Sequence, residues 1–364
     1  MTVKPRAGIE SISPYIGGRA KTGGPTRVVK LSANETPLGA SPRAIAAYHE
    51  AGNALHRYPD GGSTLLREAI AKRHGLEADQ IVCGNGSDEL FHLIAQAYLG
   101  PGDEILHSAH GFLVYPIAAR AAGADVVVVP EPNLRIDVDA LLERVGPRTR
   151  IVMIANPNNP TGTYLSAGEV MRLREGLPQD VLLVLDGAYA EYVQRNDFTT
   201  GEALVRGSDN VVMTRTFSKA YGLAGLRIGW AYCPGDVAQT LNRIRSPFNL
   251  SIPAQHAAVA ALADEAHLAQ AVAHNAKWRA WLEREIAALG LTVVPSVGNF
   301  VLIQFPHLPG RTAGEADAYL TARGLLLRQV ASYGLPDCLR LTVGLEEDNV
   351  AVVTALRAFL GGAA

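Results

Sequence analysis

Apolar runs of strand length alternate with helical segments through the first two-thirds of the chain. Most of these runs are continuously apolar, which indicates strands that are covered on both faces of a sheet. Strands are predicted at residues 80–83, 104–108, 124–130, 150–155, 181–186 and 210–214. A first helix is predicted to begin at residue 41, and later helices to end near residues 74, 98, 122 and 175. This order predicts an α/β domain with a mostly parallel sheet.

The pattern changes after about residue 253. An alanine-rich helical region extends to residue 289, and strands follow within residues 292–305, 325–328 and 339–343 before a last helix at 349–360. This part predicts a smaller α+β domain. Residues 1–40 are rich in Gly, Pro and basic residues, which is typical of an extended arm. The predicted division is therefore an arm (1–40), a large domain (41–253) and a small domain (254–364).

Composition limits the class of protein. The 364 residues are 48% hydrophobic and 19% charged, as expected for a globular protein with a large core. A net charge of −2 predicts neither a nucleic-acid nor a membrane partner. The 3 cysteines are far apart and predict no disulfide framework, which favours a reducing cytoplasm. Neither a secretory signal nor an apolar run of membrane-spanning length is predicted.

Lys219 is the strongest candidate for chemistry. Lysine is scarce in this chain, and Lys219 is surrounded by small and apolar residues. Poor solvation of an ammonium group lowers its pKa and makes the amine a usable nucleophile. Ser218 beside it and Arg227 further along are suited to hold an oxyanion or a phosphate. The alternative is a lysine stem that leaves the core to reach solvent, with Arg227 on a solvated face.

A second candidate is Asp186, the last residue of a predicted buried strand. Ligands of parallel sheets bind at the carboxyl ends of the strands, so this carboxylate is placed where a ligand would lie. It is suited to pair with a protonated ring nitrogen. Tyr189 follows three residues later and brings a phenol to the same region. The alternative is an aspartate that only caps the next turn.

Two loops that follow predicted strands carry further candidates. The segment 156–162 (NPNNPTG) combines two Asn–Pro bonds with a glycine, which predicts a rigid loop that positions a side-chain donor such as Asn159. The segment 84–88 (GNGSD) is a strand-to-helix turn whose amides suit a phosphate. Ser87 or Asp88 could instead only cap the helix.

The remaining candidates are ambiguous when each is taken alone. Phe112 opens a predicted helix and could stack on a planar ring, although a single Phe is more often a core residue. Arg328 and Arg340 lie on or beside late strands, where an isolated arginine is more typical of the surface than of an anion clamp. His107 and His110 lack further ligands at metal-binding spacing, so no metal is predicted.

Taken together, the ten residues from Thr216 (TFSKAYGLAG) and the NPNNPTG loop resemble the pyridoxal-phosphate aminotransferases of fold type I. Within that superfamily the chain looks closest to the histidinol-phosphate aminotransferases. The further matches lie at residues 14–15, 31–35, 57–59, 246–249 and 333–344. The resemblance covers nearly the whole chain. It implies a large domain with a mostly parallel seven-stranded sheet between helices, and a smaller α+β domain.

The resemblance also implies pyridoxal 5′-phosphate as the cofactor. Lys219 would bind its aldehyde as a Schiff base and move a proton between the substrate and the cofactor. Asp186 would pair with the ring nitrogen, Asn159 and Tyr189 would bond the ring hydroxyl, and Phe112 would stack on the ring.

Groups for the cofactor phosphate are implied as well. They are Ser218, Arg227, Ser87 and Asp88, the last through backbone amides. Tyr58 would reach the cofactor phosphate of the other subunit, which implies a homodimer with shared active sites. The arm would then pack on the small domain and on the partner subunit.

The implied reaction moves an amino group between glutamate and histidinol phosphate, as part of histidine biosynthesis. Arg340 would bind the glutamate carboxylate or the substrate phosphate, with Arg328, Tyr15 and Asn34 beside it. The alternatives are an aromatic amino-acid aminotransferase, an enzyme with both activities, a β-elimination lyase, and a regulatory module without turnover. One departure from many relatives precedes Phe112, where this chain has His110-Gly111 in place of Pro-Thr or Pro-Ser.

Overall fold

The computed structural model describes residues 3–21 and 27–361. Its strands are β1 (Val29–Lys30), β2 (Ile81–Gly84), β3 (Glu104–Ser108), β4 (Asp125–Val129), β5 (Thr149–Ala155), β6 (Leu182–Asp186), β7 (Val211–Thr216), β8 (Gly229–Tyr232), β9 (Thr292–Val294), β10 (Phe300–Gln304), β11 (Leu325–Leu326), β12 (Arg328–Val330) and β13 (Leu335–Thr342). Its helices are α1 (Pro42–Ala51), α2 (Thr64–His74), α3 (Ser87–Tyr98), α4 (Val114–Ala122), α5 (Val138–Glu143), α6 (Ala167–Gly176), α7 (Glu202–Arg206), α8 (Gly235–Ile244), α9 (Ile252–Ala263), α10 (Glu265–Ala288), α11 (Ala313–Thr321) and α12 (Glu346–Gly361).

The large sheet has seven strands in the order β2-β8-β7-β6-β5-β3-β4. Strand β8 is antiparallel to both of its neighbours, and the other pairs are parallel. The expected seven-stranded, mostly parallel sheet is therefore confirmed. The pattern of apolar residues did not predict β8, a four-residue strand that follows the segment of Lys219 and Arg227.

Both faces of this sheet are buried. On β5, Val152 and Ile154 pack into the core on one face, and Ile151 and Met153 pack into the core on the other. Successive side chains of a strand point to opposite faces, so a strand covered on both sides must be apolar throughout. This is why the predicted strands show no alternation of apolar and polar residues.

The second sheet has four antiparallel strands in the order β12-β13-β10-β9. It packs with α10, α11 and α12 around a core that includes Leu282, Leu320 and Leu356. Residues 292–305, within which strands are predicted, contain the two strands β9 and β10, separated by a turn. Strand β1 of the arm pairs in parallel with β11, which places this part of the arm beside the smaller sheet.

Helix α9 corrects the predicted domain boundary. Its Ala254, Ala257, Ala258 and Ala261 lie in the same core as the large sheet, and it packs against α1 and α2. The predicted boundary after Pro253 therefore falls inside a helix of the large domain. We place the boundary of the proposed division after Ala263 instead. In residues 3–21 and 27–361, none of the helices has the length and apolarity needed to cross a membrane.

Candidate active site

A cavity of about 460 Å³ lies at the carboxyl edge of the large sheet. Its lining includes the last residues of three adjacent parallel strands, Ala155 of β5, Asp186 of β6 and Thr216 of β7. The small domain and the arm supply the opposite wall. Thirteen of the fourteen side chains predicted for the site line this cavity, namely Tyr15, Asn34, Ser87, Asp88, Phe112, Asn159, Asp186, Tyr189, Ser218, Lys219, Arg227, Arg328 and Arg340.

Lys219 lies in the loop that follows β7. Its Nζ donates a hydrogen bond to the Ala33 carbonyl at 3.3 Å and lies 5.7 Å from the centre of the Tyr189 ring. Burial, and then the positive charge of Arg340, lower the pKa of Lys219 to about 8. About a tenth of this amine is therefore neutral at pH 7, far more than for an ordinary lysine, and the neutral form is the one that a nucleophile or a general base requires.

Asp186 is buried at the end of β6 and is held in place by neighbouring groups. Its Oδ1 accepts a hydrogen bond from the Ala188 N–H at 3.1 Å, and its Oδ2 accepts one from the Tyr115 hydroxyl at 2.7 Å. Burial raises the pKa of Asp186 to about 6. Among the described residues no basic side chain forms an ion pair with it. A cation placed in the cavity would supply the missing opposite charge.

Tyr189 and Asn34 form a second fixed pair. The Asn34 amide donates to the Tyr189 hydroxyl at 2.8 Å, and burial raises the pKa of Tyr189 to about 12. The backbone N–H of Asn34 donates to the Thr342 hydroxyl on β13 at 3.0 Å. The phenol is therefore neutral at physiological pH, and the small domain fixes its orientation.

The start of α3 and the Arg227 side chain form a corner of the cavity that is suited to an anion. Arg227 donates to the Ser218 hydroxyl at 3.2 Å and to the Asp88 carboxylate at 2.8 Å. Ser87 is the first residue of α3, where free N–H groups and the helix dipole favour an anion. Gly86 has a φ of 80°, and a Cβ there would collide with the Arg227 guanidinium. Glycine at this turn is thus required for the close approach of the arginine.

Arg328 and Arg340 form a cationic pair on the opposite wall. They are register partners on the antiparallel strands β12 and β13, and they are only 9% and 5% exposed. Arg340 donates to the Asn159 side chain and to the Ser32 carbonyl, whereas its Nε is buried without a partner in the described part of the chain. When Arg328 and Arg340 are each considered alone, the sequence predicts them on the surface. The structure shows that this expectation was wrong.

Phe112 lies two residues before α4 instead of opening it. Its ring contacts Tyr15 of the arm edge-on at 5.9 Å and Tyr115 at 5.8 Å between ring centres. The arm residue therefore covers the cavity from outside, and the Phe112 face lines it.

Tyr58 is the one predicted site residue that does not line the cavity. Its side chain is 82% exposed and stacks on Phe248 with ring centres 4.8 Å apart. Within a single chain, Tyr58 therefore lies outside the cavity.

Sequence reasoning missed Tyr115, which bonds Asp186, and Ser32, which bonds Arg340. A signal existed for Tyr115, because it lies one helical turn beyond Phe112 and faces the same side. No local signal marks Ser32, since its carbonyl meets Arg340 only through the pairing of the arm with the small domain.

This fold and site define an α/β enzyme in which a buried lysine, a buried carboxylate and a helix N-terminus suited to an anion meet at one sheet edge. The chain belongs to the aminotransferase class I and II family, whose model matches residues 26–356.

Individual relatives agree with this family. The chain is 58% identical over 358 residues to histidinol-phosphate aminotransferase of Rhodospirillum centenum, covering 98% of this chain and 99% of the relative. It is 56% identical over 357 residues to the enzyme of that name from Rhodopseudomonas palustris (strain BisB18), covering 98% of both. Among solved structures, histidinol-phosphate aminotransferase from Sinorhizobium meliloti in complex with pyridoxal-5′-phosphate matches with a TM-score of 0.86 and 31% identity, over 92% of this chain and 91% of that one.

Proposed function

We propose that this protein is a pyridoxal-phosphate-dependent aminotransferase that exchanges an amino group between glutamate and histidinol phosphate in histidine biosynthesis. The observation that carries the choice of substrate is the buried pair Arg328 and Arg340, in register on adjacent strands and facing the cavity. Two guanidinium groups suit a phosphate monoester, which carries more charge than a carboxylate. The relatives from Rhodospirillum and Rhodopseudomonas support the same substrate.

The cavity fits the cofactor by its charges. Arg227, Ser218 and the start of α3 offer a phosphate site at one end, and the Asp186 carboxylate lacks a cationic partner among the described residues at the other. A phosphate bound there would either share the Arg227 guanidinium with the Asp88 carboxylate or replace that carboxylate as its partner. Residues that would hold the cofactor are Ser87, Asp88, Phe112, Asn159, Asp186, Tyr189, Ser218, Lys219 and Arg227.

When bound, pyridoxal phosphate supplies an aldehyde that condenses with amines and a ring that accepts the electrons released from the substrate Cα. Asp186 keeps a proton on the ring nitrogen, because a buried carboxylate stabilises an adjacent cation. Tyr115 and the Ala188 N–H hold that carboxylate in one orientation. Tyr189 and Asn159 donate toward the ring hydroxyl.

Lys219 has two tasks in this scheme. Its neutral amine would hold the cofactor by its aldehyde until a substrate amine takes its place there, and the freed amine would then move the proton from the substrate Cα. Arg340, with Arg328 and the neighbouring Asn34 and Tyr15, orients the substrate by its anionic group so that the Cα–H bond faces the lysine. Both halves of the exchange use the same groups, since glutamate and histidinol phosphate each carry an amine and an anion.

The pKa of Lys219 predicts how capture of the cofactor depends on pH. Only the neutral amine is a nucleophile, and its pKa in the protein is about 8. Reaction of the cofactor-free protein with pyridoxal phosphate should therefore accelerate as the pH rises and level off above about pH 8. Below that pH the rate should fall by about tenfold per unit. Stopped-flow absorbance measures this rate, and a constant rate between pH 6.5 and pH 9.5 would contradict the prediction.

A spectral assay tests the proposed function. Addition of either glutamate or histidinol phosphate to the holoenzyme should remove the visible absorption band of the cofactor. Loss of the band with glutamate and phenylalanine but not with histidinol phosphate would instead indicate the aromatic aminotransferase. Protein that remains colourless with added pyridoxal phosphate would exclude both.

We further propose that the protein is a cytoplasmic homodimer with shared sites. The exposed Tyr58 and Phe248 stack on each other and form an apolar patch, and Leu55, three residues before Tyr58, is 70% exposed. Coverage of this patch by a second copy would bring Tyr58 to the partner's cofactor phosphate. A molar mass equal to one chain in solution would contradict this arrangement.

A further inference from the structure

His110 lies in the loop that leads to Phe112 on the cavity wall. It is partly buried in the loop between β3 and α4, two residues before Phe112. None of the roles assigned above uses it. Its contacts nevertheless reach across the molecule to the small domain.

The His110 ring bonds directly to the small domain. Its Nδ1 lies 2.7 Å from the Tyr333 carbonyl oxygen, 223 residues away in sequence. A carbonyl oxygen only accepts hydrogen bonds, so Nδ1 carries the proton and donates it. The backbone N–H of His110 donates to the buried Glu131 side chain at 3.1 Å, which anchors the other side of the residue in the large domain.

Gly111 and Leu113, on the two sides of Phe112, also make contacts that hold this loop. The Gly111 N–H donates to the Ser108 carbonyl at 2.9 Å, and a Cβ at Gly111 would lie only 3.1 Å from that oxygen. Leu113 packs against the small-domain cluster that contains Tyr333. The loop that carries Phe112 is therefore attached to the small domain on both sides of that ring.

Tyr333 is the residue through which this attachment reaches the substrate site. It is 3% exposed and lies in the short turn that joins β12 to β13. These two strands carry Arg328 and Arg340 respectively. A displacement of the Tyr333 carbonyl would move both arginines relative to Phe112 and to the cofactor groups of the large domain.

We propose that His110 is a positioning residue that holds the anion-binding arginines of the small domain at a fixed distance from Phe112 and Lys219. It acts on substrate affinity through Tyr333 and does not touch the substrate. The proposal rests on the proposed function, because it assigns the arginines to the anionic groups of glutamate and histidinol phosphate.

Three substitutions at this position separate the hydrogen bond from the bulk of the side chain. In His110→Asn the amide nitrogen is two bonds from Cβ, as Nδ1 is in histidine, so a donor to Tyr333 is retained. In His110→Gln the amide nitrogen lies one bond further out and misses that carbonyl. His110→Ala removes the donor and the ring together. Each holoenzyme is assayed with glutamate and with histidinol phosphate.

We expect His110→Gln and His110→Ala to raise KM for both substrates by roughly 5- to 10-fold, the size of one lost hydrogen bond. The value of kcat should stay within about twofold of wild type, because uniform binding is what is lost. His110→Asn should restore both KM values to within about twofold of wild type. A role in stability alone would change the melting temperature and leave KM unaltered.

His274 offers a matched control. Its Nε2 bonds the Gly344 carbonyl at 2.9 Å, also across a long sequence separation, but away from the Phe112 loop. His274→Ala should lower the melting temperature by an amount similar to His110→Ala without a change in KM. Unchanged KM values in His110→Gln, whatever happens to kcat or stability, would overturn the proposal. Absence of turnover in the wild-type enzyme would instead reject the proposed function.

Discussion

Replacement of Lys219 by alanine should reduce kcat/KM by at least about 10⁴-fold, the largest effect expected of any single substitution in this protein. In the proposed mechanism the change removes both the nucleophile that captures the cofactor and the base that moves the substrate proton. In the part of the chain that the structure describes, Lys30 is the only other lysine that lines the cavity, and it is paired with Glu35 at 2.7 Å. The visible absorption of the covalently held cofactor should be lost as well.

Two variants control this experiment. Lys277→Ala removes an exposed lysine that rests 4.8 Å from the Trp278 ring, outside the cavity, and should retain wild-type activity. Lys219→Arg keeps a positive charge but has a guanidinium that stays protonated, so it should be as inactive as the alanine variant. Activity above about a hundredth of wild type in Lys219→Ala would reject the assigned role of this lysine.

Replacement of Asp186 by asparagine should lower kcat by about 10³-fold. Removal of one partner of a buried ion pair costs on the order of 3–5 kcal/mol, because the other charge is left uncompensated. Here that charge is the protonated ring nitrogen of the cofactor, which would lose its proton and with it the ability to accept electrons. Steady-state kinetics at saturating cofactor measures the effect.

Tyr115→Phe is the matched comparison for Asp186→Asn. It removes the hydroxyl that donates to the carboxylate at 2.7 Å and leaves the negative charge in place. We expect a loss of only about 3- to 10-fold, the size of one hydrogen bond. If the two variants lost activity equally, the charge of Asp186 would not be the important property, and its pairing with the ring nitrogen would be wrong.

Much of the large domain could be predicted from sequence. Strands β3, β5, β6 and β7 were located within a few residues, because a strand buried on both faces must be apolar at every position. Asp186 and Lys219 stood out for a related reason. Each is an ionisable residue next to a buried apolar segment, and such a position is costly unless a ligand or partner uses it.

Other features followed only from chain packing. Helix α9 is rich in alanine and carries no signal of which domain it covers, so the domain boundary was misplaced. The short strand β8 lacked a pattern of its own, because its position depends on β2 and β7 on either side.

The sequence by itself determined the strands of the large sheet, most of the residues that line the cavity and the family to which the chain belongs. These depend on local burial and on motifs whose residues are close in the chain. Only the tertiary structure decided that Arg328 and Arg340 are buried side by side, that Tyr115 supports Asp186 and that His110 bonds Tyr333. Such contacts join residues that are adjacent only after the sheets form and the domains meet, since strand register and domain packing, not local pattern, bring them together.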